Sequence, residues 1–172
     1  MVEWYTIKKS GEAMFELEQY GIGTGDKKKH EELVYMTALI YNLLNNDITS
    51  YLTKYNLSPG KLNILVAMRH HGGNQGLAQI EISRHLIVTK SNMTKHLDKL
   101  ENEGMITRSA RPGDKRVKII KITKKAEELL DAMWDEYNQR LESLTSRLSK
   151  EKKIQLSELL FEWFGTLIPG DK

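Results

Sequence analysis

The feature that most limits what this chain can become is a change of hydrophobic period at one glycine. Between Lys90 and Glu103 the apolar residues Met93, Leu97 and Leu100 recur four and three apart, the spacing of one helix face. Gly104 ends that pattern. Met105 to Ser109 and Val117 to Ile122 are β-prone, and Arg111-Pro112-Gly113-Asp114-Lys115 between them has turn chemistry. Thr123 then caps a new helical stripe. Helix, hairpin with a charged tip and long helix in direct succession leave few architectures open. Ile119 and Ile120 are adjacent, so alternation does not settle the facing of the second strand.

Upstream, Met36, Ile40, Leu44, Ile48 and Tyr51 predict a long helix over residues 30–54. Ser58-Pro59 opens another, Ser suiting the cap and Pro the first helical position. Leu62, Leu65, Val66 and Met68 give it an apolar side, and Gly72-Gly73 supply a left-handed C-terminal cap. Residues 79–86 read as a short helix burying Ile82 and Leu86. Ile87-Val88 make a tight connection, and Thr89 caps the helix that begins at Lys90. Two short helices meeting at a turn of about three residues have the spacing of a helix-turn-helix.

Downstream, Leu130, Trp134, Tyr137, Leu141, Leu144 and Leu148 form a heptad-like seam. Ser149 caps a last helix with Leu156, Leu160, Trp163 and Leu167 on one side, ending before Pro169-Gly170. Each helix also carries a second apolar set (Leu129 and Met133; Leu159 and Phe164). Such stripes serve either as the chain's own core or as subunit contacts. Two faces per helix are more than one intramolecular contact needs, which favours subunit contacts. Gly21, Gly23, Gly25 and Asp26-Lys27-Lys28-Lys29 break any period, so residues 1–29 read as an N-terminal arm.

The 172 residues carry 26 Lys+Arg against 23 Asp+Glu, and no cysteine. The charge is unevenly spread. From Arg84 to Lys125, twelve basic residues stand against four acids, a local charge of +8, while the rest of the chain is −5. The block is either a polyanion-binding face or a solvated lysine-rich surface. Lack of cysteine excludes disulfides, thiolate metal sites and thiol redox chemistry. No apolar run nears the roughly 20 residues that span a bilayer, and the first residues lack a signal peptide's pattern, so the cytoplasm is the expected compartment. Gly21-x-Gly23-x-Gly25 lacks the spacing of a phosphate loop. His70 and His71 are neighbours, about 100° apart on a helix, and cannot share a metal as an i, i+4 pair can. Neither an enzyme, a cofactor nor a metal site is expected.

These elements read together as a mostly α fold with a small β-hairpin wing. It is a winged helix-turn-helix with N- and C-terminal dimerisation helices. The expected division is an arm over 1–29, a dimerisation helix over 30–56, the winged domain over 57–125 and C-terminal dimerisation helices over 126–172. Five stretches carry a family resemblance. They are Leu57-Ser58-Pro59; Gly76-Leu77-Ala78-Gln79-Ile80-Glu81-Ile82; Val88-Thr89-Lys90-Ser91-Asn92-Met93-Thr94, leading into Leu97-x-x-Leu100-Glu101-x-Glu103-Gly104-Met105-Ile106-x-Arg108; Arg111-Pro112-Gly113-Asp114-Lys115-Arg116 with Ile122-Thr123; and Leu148-Ser149-x-Glu151. In their order and spacing, from Leu57 to about Leu160, the chain resembles the MarR (multiple antibiotic resistance regulator) family of transcription factors. It departs from that pattern at Ala78, where Thr or Ser often caps the scaffold helix, at Ile87, where Gly is common, and at Ala126, where Gly is frequent.

The resemblance implies a homodimer that sets two recognition helices in successive major grooves of double-stranded DNA, at half-sites about one helical turn apart. Opposite Met93 and Leu97, the helix carries Lys90, Ser91, Asn92, Thr94, Lys95 and Lys99. Asn92 suits adenine and Lys95 guanine, Ser91 and Thr94 suit bases or phosphates, and Lys99 suits phosphate. By resemblance, Asp114 orients the wing and Arg116 enters the minor groove, where narrow A·T segments concentrate negative potential. Arg111 and Lys115 then meet phosphates. His85 and His96 are expected near the DNA face or the core edge. The resemblance also implies a small aromatic or anionic effector held between the dimer helices and the winged domain. Tyr35, Tyr41, Arg69, His70 and Trp134 are the candidates, although such residues equally build core. The expectation is a sequence-specific regulator, a repressor, with no membrane partner. The alternative is a winged-helix adaptor module, which would carry apolar or acidic residues at 91, 92 and 94. A nonspecific DNA-coating protein would show a shallow specificity ratio.

Overall fold

The computed structural model describes residues 20–22, 28–84, 86, 90–111 and 113–168. The expected cap at Thr89, the Ile87-Val88 connection, most of the N-terminal arm and Pro169-Gly170 lie outside them. The chain divides into two compact units between Pro59 and Gly60.

The first unit is built on α1 (Lys29–Thr53). Lys28 and Lys29 pair with Glu31 and Glu32, one turn on, at 3.6 and 2.8 Å. The helix closes where Asn56 takes a left-handed φ of 55°, and the Leu57 N–H donates to the Leu52 carbonyl at 3.1 Å. This six-to-one bond satisfies an orphan carbonyl of the last turn. Tyr51 and Leu52 are buried, whereas Leu33, Val34, Tyr35, Ile40, Tyr41 and Leu43 are at least half exposed.

The second unit holds the winged fold. In α2 (Pro59–His71), Leu62, Ile64, Leu65, Ala67 and Met68 are buried. The Gly72 N–H donates to the Met68 carbonyl at 2.8 Å, and Gly73 is the left-handed residue, with φ 46°. A two-residue strand follows, β1 (Leu77–Ala78), where a loop leading into a helix was expected. Two residues are too few to show a period. Gly76 lets the strand approach its neighbour: φ is 75°, and a Cβ there would stand 2.5 Å from the Ile120 carbonyl oxygen.

Helix α3 (Gln79–Arg84) is shorter than the expected 79–86. Ile82 is fully buried, but Leu86 is only half-buried. The cap that Ala78 lacks is partly replaced. The Glu81 carboxylate accepts from the Ala78 N–H at 2.5 Å, which is the reverse half of a capping box.

Helix α4 (Lys90–Asn102) buries Met93, Leu97 and Leu100 and stops at Gly104 (φ 70°). Strands β2 (Ile106–Arg111) and β3 (Asp114–Ile122) are longer than expected, so the tip is narrower. Arg111 and Asp114, read as turn residues, pair with each other across a register shift between Ala110 and Arg111. The sheet is antiparallel in the order β1-β3-β2. The adjacent isoleucines are now resolved, with Ile120 facing the core at 0% exposure and Ile119 half-buried.

The Thr123 hydroxyl accepts from the Ala126 N–H at 3.3 Å, capping α5 (Lys124–Thr145). Only Ala126, Leu130 and Met133 of that helix are buried. Beyond them the seam is half-buried at Trp134, Tyr137, Leu144 and Leu148 and exposed at Leu141. The Ser149 hydroxyl accepts from the Lys152 N–H at 3.3 Å and caps α6 (Lys150–Leu167), in which no residue is buried. Among the described residues, no helix is long and apolar enough to cross a membrane.

Candidate nucleic-acid interface

The periodicity of α4 separates its two sides. Met93, Leu97 and Leu100 lie in the core, where each buried apolar side chain contributes about 1.5–3 kcal/mol. Asn92, Thr94, Lys95 and Lys99 are consequently exposed together. Asn92, Lys95, His96, Asp98 and Lys99 line an open hollow of about 350 Å³. Thr94 is held from the neighbouring helix, since the Gln79 amide donates to its hydroxyl at 3.1 Å. Gln79 was not anticipated from the sequence. It is the first residue of α3, and nothing in a linear pattern links it to a residue fifteen positions on.

Four residues from outside this helix fix it. At its C-terminal end, the Lys61 ammonium reaches both Glu103 carboxylate oxygens at 2.6 and 2.7 Å. Lys61 is nearly inaccessible (its side chain is 8% exposed), so the pairing compensates a cation taken out of water. The Lys125 ammonium donates to the Glu103 carbonyl at 2.8 Å, and the Thr123 hydroxyl to the Gly104 carbonyl at 2.9 Å. On the wing side, Arg108 of β2 stands 2.7 Å from Asp98 and 3.4 Å from Glu101. Its Nε and Nη2 are buried and poorly aligned for hydrogen bonding, so Arg108 acts mainly as a neutralising charge.

On the other side His96 packs on the first turn of α2. A Cβ placed on Gly60 would lie 2.6 Å from the imidazole Nε2. Burial, then the cationic Lys99 and Lys61, hold the His96 pKa below its ordinary value.

At the wing, Asp114 does not form the tip ion pair that its spacing with Arg116 allows. Its Oδ1 accepts instead from the Arg116 backbone N–H at 3.0 Å, while Arg116 stays exposed. Such an aspartate-centred turn fixes the tip backbone locally. Arg111 and Lys118 are also exposed. The structure thus thins the +8 block read from the sequence. Arg108 and Lys125 serve α4, Lys121 donates to the Asn74 carbonyl at 2.8 Å, and Lys124 pairs with Glu128 at 3.4 Å. Among the described side chains of the block, Arg84, Lys95, Lys99, Arg111, Arg116 and Lys118 are the exposed basic residues outside these contacts.

The effector candidates are less gathered. Tyr35 and Tyr41 are exposed on α1, six positions and so about 120° apart around it. In the second unit, Arg69 pairs with Asp131 at 2.6 Å, His70 is exposed, and Trp134 lies against Tyr137 with ring centroids 5.8 Å apart. Among the described residues, no group of three His, Cys, Asp or Glu is placed to hold a metal.

A sequence model of the MarR family matches residues 57–118. The transcriptional regulator MhqR of Bacillus subtilis is 27% identical over 77% of this chain and 90% of its own. The crystal structure of Sco3205, a MarR family regulator from Streptomyces coelicolor in complex with DNA, superposes with a TM-score of 0.74. It is 21% identical and covers 82% of this chain and 93% of its own. BpsR of Bordetella bronchiseptica, whose DNA binding is regulated by 6-hydroxynicotinic acid, superposes with a TM-score of 0.70 at 14% identity, over 77% of this chain and 98% of its own.

Proposed function

The chain belongs to the MarR family of transcriptional regulators, and from that premise we propose that it is a homodimeric repressor that reads palindromic double-stranded DNA. One observation carries the reading. The face of α4 turned away from the core is polar and cationic, and the flanking wing adds exposed arginines. The DNA complex of the structurally similar Sco3205 supports the same use of this fold.

In this reading Asn92 and Lys95 contact bases, and Thr94, held by Gln79, contacts a base or phosphate. Lys90, Ser91, Lys99, Arg111 and Lys115 add further contacts, most of them to phosphate. Arg116 enters the minor groove from a tip ordered by Asp114. Dimerisation uses α1, the distal half of α5 and α6, most of whose apolar residues are exposed or only half-buried among the described residues. A small aromatic or anionic effector releases the DNA, as the regulation of BpsR supports. Arg69 is its anionic anchor only if the effector displaces Asp131.

The test is fluorescence anisotropy with a selected palindromic duplex and a scrambled one, across salt. A steep salt slope with a preference on the order of 10³ is expected; steep binding without preference would leave only nonspecific coating. Arg116→Ala should weaken operator binding with the circular dichroism spectrum unchanged. Asn92→Ala should lose discrimination, and Lys99→Ala should lose affinity on all sequences with a smaller salt slope.

A further inference from the structure

His96 occupies an unusual place in this interface. It lies on the edge of the buried stripe of α4, about 60° around the helix from Met93. One side of its ring meets Gly60, so close that any side chain there would collide with Nε2 at 2.6 Å and Cε1 at 2.9 Å. Its other side opens on the hollow shared with Asn92, Lys95, Asp98 and Lys99. The ring is therefore half-buried and at the same time part of the surface offered to DNA.

Charges around it are predominantly positive. On its own helix, Lys99 stands close, and Lys95 lines the same hollow. From α2 comes Lys61, together with the positive end of that helix's dipole. The carboxylates of the neighbourhood are engaged elsewhere, Glu103 with Lys61 at 2.6 Å and Asp98 with Arg108 at 2.7 Å. Burial and these cations favour the neutral imidazole in the free protein, in the same sense as its lowered pKa. A DNA backbone laid along Lys95 and Lys99 reverses the local sign within a Debye length of the ring, about 10 Å at 0.1 M salt.

We infer that His96 takes up a proton from solvent as DNA binds, so that it is a further, proton-gated contributor to DNA affinity. The inference rests on the DNA-binding reading above. Its sign follows from linkage. A pKa higher in the complex than in the free protein adds affinity that is fully present below the free-state pKa and lost above the bound-state one. A rise of one unit is worth about tenfold in affinity per protomer.

The experiment measures the affinity of the full chain for the palindromic and scrambled duplexes at fixed ionic strength, from about pH 5.5 to 8.5. The wild type should bind roughly three- to tenfold tighter per protomer at the acid end. In His96→Gln the ratio of acid-end to high-pH affinity should fall most of the way to one, whatever its absolute affinity; the residual slope reports groups common to both proteins. An undiminished slope in His96→Gln overturns the inference and leaves DNA binding standing. Absence of binding at every pH overturns the DNA reading itself, and the inference with it. Should His96→Gln fold poorly, the imidazole Cε1–H resonance of His96 decides the matter in the wild-type protein. Its titration midpoint should rise on adding the duplex, and an unmoved midpoint overturns the inference.

Discussion

The winged region and helix α6 are written in the same hydrophobic code, yet they end differently. Met93, Leu97 and Leu100 on α4 are spaced four and three apart, as are Leu156, Leu160, Trp163 and Leu167 on α6 with their three-and-four pattern. The first set is at most 1% exposed. In the second, Leu156, Leu160 and Leu167 are exposed and Trp163 is half-buried, and Phe161 beside them is 80% exposed. Periodicity therefore says that a helix has an apolar side, but not what covers it. In the winged region, strands β2 and β3 and the neighbouring helices supply the cover. For α6 the described residues bury no side chain, and a second copy is the proposed occupant. An apolar face of this extent on a monomer is uncommon and marks an interaction site.

The largest expected effect tests the covered side. Leu97→Ala should destabilise the winged region by about 2–5 kcal/mol through lost transfer energy and an unfilled cavity, as measured by chemical denaturation. A change under 1 kcal/mol would show that the interior of α4 is looser than its burial implies. Next comes the charge within that packing. Glu103→Gln should cost about 2–4 kcal/mol, because it strands the inaccessible Lys61 cation. Lys61→Met should cost less, because Glu103, 26% exposed, can turn to water. Equal losses would mean that water reaches both partners alike. A smaller step, about 1 kcal/mol, is expected for Thr123→Ala, which removes the cap of α5. Smallest is Phe161→Ala. At dilutions where the chain is monomeric, it should change folding stability by no more than about 0.5 kcal/mol. In sedimentation at higher concentration, the same variant should weaken self-association. A folding penalty like that of Leu97→Ala would erase the contrast between the two regions.

Much of the fold was legible because it depends on neighbours in sequence. The caps at Thr123 and Ser149, the stop at Gly104 and the stripe of α4 each involve residues within a turn or two. The site was legible in part for the same reason: a stripe of buried positions leaves its polar counterpart facing out, which places Asn92, Thr94, Lys95 and Lys99 together. What escaped depends on distance. Strand β1 exists only because β3 offers a paired edge to two residues more than forty positions earlier. Gln79 reaches Thr94, Lys61 reaches Glu103, and His96 finds its space at Gly60 only when separate helices meet. The basic block was overread because a count of charges cannot tell Arg108, which neutralises Asp98 and Glu101, from Arg116, which stays exposed.

The sequence by itself determined which helices are amphipathic, where they begin and stop, and that a hairpin with a basic tip follows the recognition-type helix. These outcomes rest on backbone geometry and side-chain period, which act locally. Only the tertiary structure decided which apolar faces are covered, which lysines are consumed in holding α4, and that a histidine sits between the core and the charged face. Those depend on burial and on electrostatics across a few ångströms of space, and neither is a function of separation along the chain.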